Sequence, residues 1–514
     1  MRNQVGPLFR TIRRGGDGVV IVCWVKRSRR TTGFNSGAMY SSKADQVKLM
    51  IRGSEDNLTP ANDYVNQVSI KNIANLKNLV TAYELIKSKP GNMTEATDKI
   101  TLDGLSSEYL TKVQSRLRAG IYEFPPARRI QIPKPGKSET RPLTVASPRD
   151  KIVQKAIQIV LEPLYEKQFL DTSHGFRPNR GTRTAIQYLD AKFQSVHYII
   201  EADFSKAFDT IPHKKLMEII SREIRCEKTR KLINSGLKAG YVELGNLHNN
   251  LEEGTPQGSI LSPLLCNIYF HELDKYMENI KIEYNCGIKR GTNKEYEKLA
   301  NKVKYMRKKG QDASNKVEYL DLMRKLLNTP SKRQDDSYVR IHYVRYADDF
   351  VIGVEGSYEI TKTILDKVRT FISCSLSLKL NDTKTGITKY SEKKVKFLGY
   401  KLSAPHFKGI LKPTENISPK NSAKIISPCF AGKKIRIRIE MDTEKVFKRL
   451  ETNRFIRKRN AALDGKSLEY RGTFKGNLIN LDHADIIMYY NSVIRGIYNY
   501  YSFVNNTLDL AHVI

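Results

Sequence analysis

Arg345-Tyr346-Ala347-Asp348-Asp349-Phe350-Val351-Ile352 sets two adjacent carboxylates between two runs with strand chemistry. His342-Tyr343-Val344 come before and Phe350-Val351-Ile352 after, so the pattern predicts a hairpin with both acids at its turn. Like charges this close repel unless something cationic holds them. A divalent cation such as Mg²⁺ answers that need, because it takes carboxylate oxygens and keeps positions open for phosphates. Taken alone, the pair reads better as a solvated acidic turn.

A second acid lies upstream, in Tyr198-Ile199-Ile200-Glu201-Ala202-Asp203-Phe204-Ser205-Lys206-Ala207-Phe208-Asp209. Tyr198 to Ile200 are β-formers, so Asp203 falls at a strand end, and Pro212 to Ile220 read as a helix. Asp203 joins the hairpin acids only if the two strands become neighbours in one sheet; otherwise it is a loop or cap acid. Three carboxylates brought together would form a two-metal site for phosphoryl transfer. Between the acids runs Glu253-Gly254-Thr255-Pro256-Gln257-Gly258-Ser259-Ile260-Leu261-Ser262-Pro263-Leu264-Leu265, a tight turn opening into an apolar helix. Gly258 there lets another backbone or a base pair come close.

The chain has 514 residues, with 88 Lys plus Arg against 54 Asp plus Glu and a formal net charge of +34. Such length implies two to four domains by the usual domain size of roughly 150 residues. Such charge favours a polyanion partner, held largely by counterion release. The six cysteines form no C-x-x-C pair, which argues against a zinc ribbon or a disulfide framework and for a reducing compartment. No apolar run approaches the length of a membrane span, so no membrane partner is expected.

Taken in order, Asp203 with Phe208, Thr255-Pro256-Gln257-Gly258-Ser259 and Tyr346-Ala347-Asp348-Asp349 resemble the palm motifs of reverse transcriptases encoded in group II introns, often called maturases. Ile132-Pro133-Lys134-Pro135-Gly136-Lys137 with Thr140-Arg141-Pro142-Leu143 resembles the basic fingers motif, and Ser173-His174-Gly175-Phe176-Arg177-Pro178-Asn179-Arg180 a segment typical of the subfamily. Lys379-Leu380-Asn381-Asp382-Thr383-Lys384-Thr385 and Val395-Lys396-Phe397-Leu398-Gly399-Tyr400 resemble the last palm motifs, and Pro90 to Asp98 the N-terminal extension. Met488 to Tyr501 resembles the core helix of the maturase, or X, domain.

The resemblance implies an α+β right-hand polymerase with fingers, a ferredoxin-like palm and a partial, mainly helical thumb. Its expected parts are a basic segment over 1–43, an N-terminal extension over 44–115, and fingers and palm over 116–405 with an insertion at 281–337. The X domain follows over 406–514. It further implies RNA-directed DNA polymerase activity on an RNA template, a DNA primer and deoxynucleoside triphosphates. Asp203, Asp348 and Asp349 would hold two Mg²⁺ ions, with the backbone of Phe204 as a further ligand. Lys134 and Arg141 would neutralise the triphosphate, and Lys384 would face the site. Gln257 and Gly258 would position the nascent pair, and Phe208 would exclude a 2′-hydroxyl. Arg495 and Tyr500 would contact group II intron RNA, assisting splicing and mobility.

The family's X domain carries further helices, so the expectation is a maturase domain cut short at Ile514, with no DNA-binding or endonuclease module after it. The Arg-rich, acid-poor composition of Met1 to Ser42 suits a mitochondrial targeting segment, an upstream exon or an RNA-binding arm. The expected location is mitochondrial, with another organelle or the bacterial cytoplasm as alternatives. The competing function is a splicing cofactor whose polymerase chemistry is idle.

Overall fold

The computed structural model describes residues 68–89, 91, 94–133, 140–249, 251–288, 291–310, 316–329, 337–390, 392–403, 437–460 and 468–506. All lie in the unit Thr59–Ile514. The basic segment 1–43 and Lys134 lie outside the described residues, as do residues 433–436 of the run Lys433 to Ile439, whose alternating basic and apolar residues suit a strand with one cationic face.

Helices α1 (Ile70–Ile73), α2 (Leu76–Lys87) and α3 (Ser107–Ala119) each begin at a polar residue whose side chain accepts from a first-turn amide, namely Ser69, Asn75 and Ser106. Helix α3 stops at Gly120, whose φ of 80° ends it in a left-handed cap. The buried stripe of α2 is Leu79, Ala82 and Ile86, with Leu85 turned to the side. Strands β1 (Ala127–Pro133) and β2 (Thr140–Val145) form the fingers hairpin. Helix α4 (Pro148–Glu166) follows, burying Ile152, Val153, Ala156, Ile157 and Leu161 beneath it. Helix α5 (Thr182–Lys192) leads into β3 (Tyr198–Asp203).

After β3 come α6 (His213–Glu223), α7 (Glu227–Lys238), β4 (Tyr241–Glu243), β5 (Asn246–His248) and the 23-residue α8 (Ser262–Tyr284). Strand β4 joins β1 in parallel, giving a fingers sheet of order β2-β1-β4-β5. Helices α9 (Lys294–Lys308) and α10 (Lys316–Asn328) occupy the expected insertion and share a small core of Val303, Met306, Tyr319 and Met323. Then β6 (Arg340–Tyr346), β7 (Asp349–Glu355), α11 (Tyr358–Cys374) and β8 (Gly386–Lys389) complete the palm.

The palm sheet runs β6-β7-β3-β8, antiparallel throughout. With α8 between β3 and β6 and α11 between β7 and β8, this is the ferredoxin-like strand–helix–strand–strand–helix–strand order. Alternation along the strands divides the faces. Ile200, Ala202, Tyr343, Phe350 and Ile352 enter the main core with α8 and α11. Ile199, Val344 and Val351 enter a second core with α5 and the C-terminal elements. Asp203 and Asp349 share the parity of Ile199 and Val351, so they lie on this second face.

Beyond the palm, β9 (Val395–Phe397), β10 (Tyr400–Ser403) and β11 (Arg438–Met441) form a sheet of order β11-β10-β9. The sequence from Thr443 to Ala461 keeps helical spacing, but helix α12 (Thr443–Thr452) ends nine residues short of Ala461. Arg454 takes a φ of 57° and reverses the chain, and β12 (Ile456–Asn460) then pairs with β13 (Leu468–Gly472). Burial of Ile456 against the second core and the pairing with β13 decide for strand over helix. Helix α13 (His483–Tyr500) closes the described chain.

Candidate active site

Strand pairing brings the distant acids together. Asp203 is the last residue of β3 and stands directly opposite Asp349, the first of β7. Directly opposed residues of antiparallel strands present side chains on one face, about 4.5–5.5 Å apart at Cβ. Tyr346 and Asp349 are the last pair of the β6–β7 hairpin, so Ala347 and Asp348 make a two-residue loop. Ala347 has a φ of 56°, a conformation that glycine normally supplies at such turns and that costs about 1–2 kcal/mol for alanine.

The three carboxyls repel one another's charge. Burial, then hydrogen bonding to Asp203 and the charge of Asp348, pushes the Asp349 carboxyl up to about 7. Burial also raises Asp348, with Asp203 adding to it. Lys384, in the turn before β8, places its ammonium on Asp203 Oδ2, and that bond raises its own pKa. Asp203, Asp349 and Lys384 line an open cleft of ≈ 500 Å³, together with Lys396, Phe397 and Leu398.

The donor set is all oxygen, which suits Mg²⁺ in chemistry, and the register suits it in backbone placement. As the side chains stand, no three His, Cys, Asp or Glu groups converge on one point among the described residues. The Lys384 ammonium occupies the position beside Asp203 where a cation belongs. A divalent cation held by these carboxylates therefore requires rotamer changes and a shift of Lys384.

Around the acids the other expected residues divide. The Phe204 ring is buried, stacked 4.7 Å from Phe270 and 5.6 Å from Phe350, so the side chain is core and only its backbone could serve the site. Phe208 is half-buried, its ring 6.3 Å edge-on from Phe176. Gln257 donates to Asp209 Oδ2 at 3.2 Å, and its carbonyl accepts from Thr144 N on β2 at 2.6 Å. Gly258 has a φ of 113°, and a Cβ there would lie 2.4 Å from the Thr144 carbonyl oxygen. The close neighbour that demands glycine is thus the fingers strand. Arg141 is exposed on β2, opposite Ile132. Arg495 is exposed on α13, whereas Tyr500 stacks 5.5 Å from Tyr400 and donates to the Leu398 carbonyl at 2.7 Å.

Sequence reading passed over Asp209 and Arg129. Arg129 on β1 donates to Asp209 Oδ1 at 3.2 Å and lies 3.8 Å over the Tyr241 ring. Asp209 thereby ties fingers, palm and the Pro256-Gln257-Gly258 loop at one point. Its position directly after Phe208 was a signal, but its partners come from 80 and 48 residues away.

An antiparallel ferredoxin-like palm with acids at the β3 end and the β6–β7 turn agrees with a right-hand fold of the reverse-transcriptase class. The family model for reverse transcriptase (RNA-dependent DNA polymerase) matches residues 132–288 and 319–402, and that for the type II intron maturase matches 434–514. The chain is 34% identical to the group II intron-encoded protein LtrA of Lactococcus lactis, over 84% of this chain and 69% of that protein. It is also 34% identical to the putative COX1/OXI3 intron 2 protein of Saccharomyces cerevisiae, over 87% of this chain and 50% of that protein. The uncharacterized mitochondrial protein ymf11 of Marchantia polymorpha is 32% identical over 46% of this chain and 30% of its own length. The chain belongs to the family of group II intron-encoded reverse transcriptase/maturase proteins. It spans about half the length of its yeast relative.

Proposed function

We propose that this chain is an RNA-directed DNA polymerase that binds group II intron RNA and assists intron splicing and mobility. The observation that carries the reading is the register that sets Asp203 opposite Asp349 in the lining of an open cleft, with Asp348 in the turn beside them. Asp203, Asp348 and Asp349 would hold two Mg²⁺ ions, which when bound would supply activation of a primer 3′-hydroxyl and neutralisation of the leaving pyrophosphate. The protein's part in phosphoryl transfer is positioning and charge. Arg141 and Lys134 bring cations to the triphosphate from the fingers. Lys384, displaced from Asp203 by the cation, faces the same phosphates. Gln257 and Gly258, fastened to β2, set the height of the nascent base pair against the fingers. Phe208 lies under the sugar and excludes a 2′-hydroxyl.

A net charge of +34 supports binding of an RNA backbone over a wide surface. Arg495 offers that surface an exposed cation on α13, and Tyr500 contributes by fixing α13 to the cleft rim through Leu398. Similarity to the ymf11 protein and to the yeast intron protein supports a mitochondrial location.

The test is Mg²⁺-dependent extension of a DNA primer on an RNA template, with Asp348 and Asp349 both changed to alanine. The wild type extends, and the double variant loses extension while keeping its affinity for RNA. Undiminished extension by the double variant refutes the assignment of these acids. A folded wild type that binds RNA tightly and does not extend supports the splicing-cofactor reading instead.

A further inference from the structure

Directly behind the β6–β7 turn lies a buried polar knot. Arg345 and Asp274 each have side chains with 0% exposure, and their ion pair is bidentate. Arg345 Nε donates to Asp274 Oδ1 at 2.8 Å and Nη2 donates to Oδ2 at 2.6 Å. The remaining donors go to Asn267 Oδ1 at 3.1 Å, the Ala347 carbonyl at 3.0 Å and Ser173 Oγ at 2.8 Å. A guanidinium has five N–H donors, and all of them are used. Tyr343 donates its hydroxyl to Asp274 at 2.8 Å.

Well-packed apolar residues commonly stabilise a core as well as a buried ion pair does, because two charges must be stripped of water. What distinguishes this pair is where the fork reaches. Ala347 is the residue held at a φ of 56° between the hairpin strands, and Arg345 bonds its carbonyl. A second support comes from Gly175, which lies so close that a Cβ would sit 2.4 Å from Ala347 N. Asn267, itself an acceptor for Arg345, donates to the Gly175 carbonyl at 2.8 Å and holds that segment in place. The His174 amide donates to the Arg345 carbonyl at 3.0 Å, and the Arg345 amide to the Thr172 carbonyl at 2.8 Å. The turn is gripped on both sides by one connected network.

We propose that Arg345 and Asp274 are positioning residues for the catalytic carboxylates: their buried fork holds Ala347 in its left-handed conformation and thereby aims Asp348 and Asp349. The inference rests on the reading of those two acids as holders of a divalent cation. Arg345 acts through the turn and touches no substrate. A lysine cannot replace it, because one ammonium has three donors from a single point and cannot span acceptors on α8, the Ser173 segment and the turn.

The experiment compares wild type with Arg345→Lys and Asp274→Asn, both checked by circular dichroism to be folded at the assay temperature. Mn²⁺ is the probe, its binding followed by electron paramagnetic resonance without primer or nucleotide. Loss of an orienting partner weakens metal binding by roughly 10- to 100-fold. In primer extension, kcat falls on the order of 100-fold while the KM for the nucleotide stays within about threefold, as misplaced reacting groups do. Ala347→Gly added to Arg345→Lys recovers part of the Mn²⁺ affinity, because glycine holds a positive φ unaided. A brace that serves stability alone predicts unchanged Mn²⁺ affinity in the folded variant and no rescue, and either result overturns the proposal. Should Arg345→Lys not fold, Asn267→Ala, which removes one bond to Arg345 and one to Gly175, must weaken Mn²⁺ binding for the inference to stand. Wild type that binds Mn²⁺ without extending a primer refutes the polymerase reading, and the Mn²⁺ series still decides this one.

Discussion

Replacing Gly258 by alanine puts one methyl group between the Pro-Gln-Gly loop and the fingers. The added Cβ would stand 2.4 Å from the Thr144 carbonyl oxygen, where real Cβ contacts essentially never come under 3.0 Å. Something must move by at least 0.6 Å, the difference between those two distances. Backbone lies on both sides of the clash, so no flexible side chain can yield. The tether between the same segments, Thr144 N to the Gln257 carbonyl at 2.6 Å, resists that movement. A φ of 113° adds strain for any L-residue, of order 1–3 kcal/mol. Losing the tether adds about 1 kcal/mol. The expected destabilisation is about 2–4 kcal/mol, read as a lower urea midpoint. Where the loop escapes by leaving β2, nucleotide binding suffers as well, and each 1.4 kcal/mol raises KM about tenfold. Gly496→Ala is the control: it sits within α13 with nothing within 4 Å of the new Cβ, and it stabilises by roughly 0.5–1 kcal/mol. A Gly258→Ala protein with the wild-type midpoint and the wild-type KM would refute the argument from close approach.

The carboxyl cluster predicts a pH dependence with a definite sign. Asp349 is raised to about 7, so between the ordinary carboxylate range and that value the folded protein keeps a proton that the unfolded chain has lost. That contribution is full at low pH and lost as pH rises through about 7. The metal-free melting temperature therefore falls between about pH 4 and about pH 7. Asp349→Asn flattens the slope, and Mg²⁺ restores stability at the upper end; a slope unchanged in the variant would place its origin elsewhere. Phe208→Ala opens the sugar position and raises ribonucleotide incorporation relative to deoxyribonucleotide. Equal change for both sugars in primer extension would make Phe208 a packing residue.

The three acids were legible because their chemistry is local. Asp348 and Asp349 stand between two β-forming runs, and Asp203 ends a third, which is enough to predict a strand end and a turn. The palm's strand order followed from the resemblance, and the observed β6-β7-β3-β8 sheet agrees with it. Helix α12 is shorter than the helical spacing of Thr443 to Ala461 suggests, because the pairing of β12 with β13 is decided by partners up to 16 residues away. Gly258 was read as leaving room for a backbone or a base pair, and only the fold shows that the neighbour is Thr144.

By itself the sequence determined the acidic turn, the basic balance and the motif order, since those are properties of residue type and short spacing. Tertiary structure alone decided that Asp203 faces Asp349, that Lys384 sits on Asp203, and that Arg345 spends every donor behind the turn. Arg345 and Asp274 are 71 residues apart, and nothing in either neighbourhood names the other. Burial turns an exposed-looking Arg and an acid on an apolar helix into a fixed pair, because neither charge can lie in the core without a partner. The same folding step that hides them sets the geometry of the carboxylates in front of them.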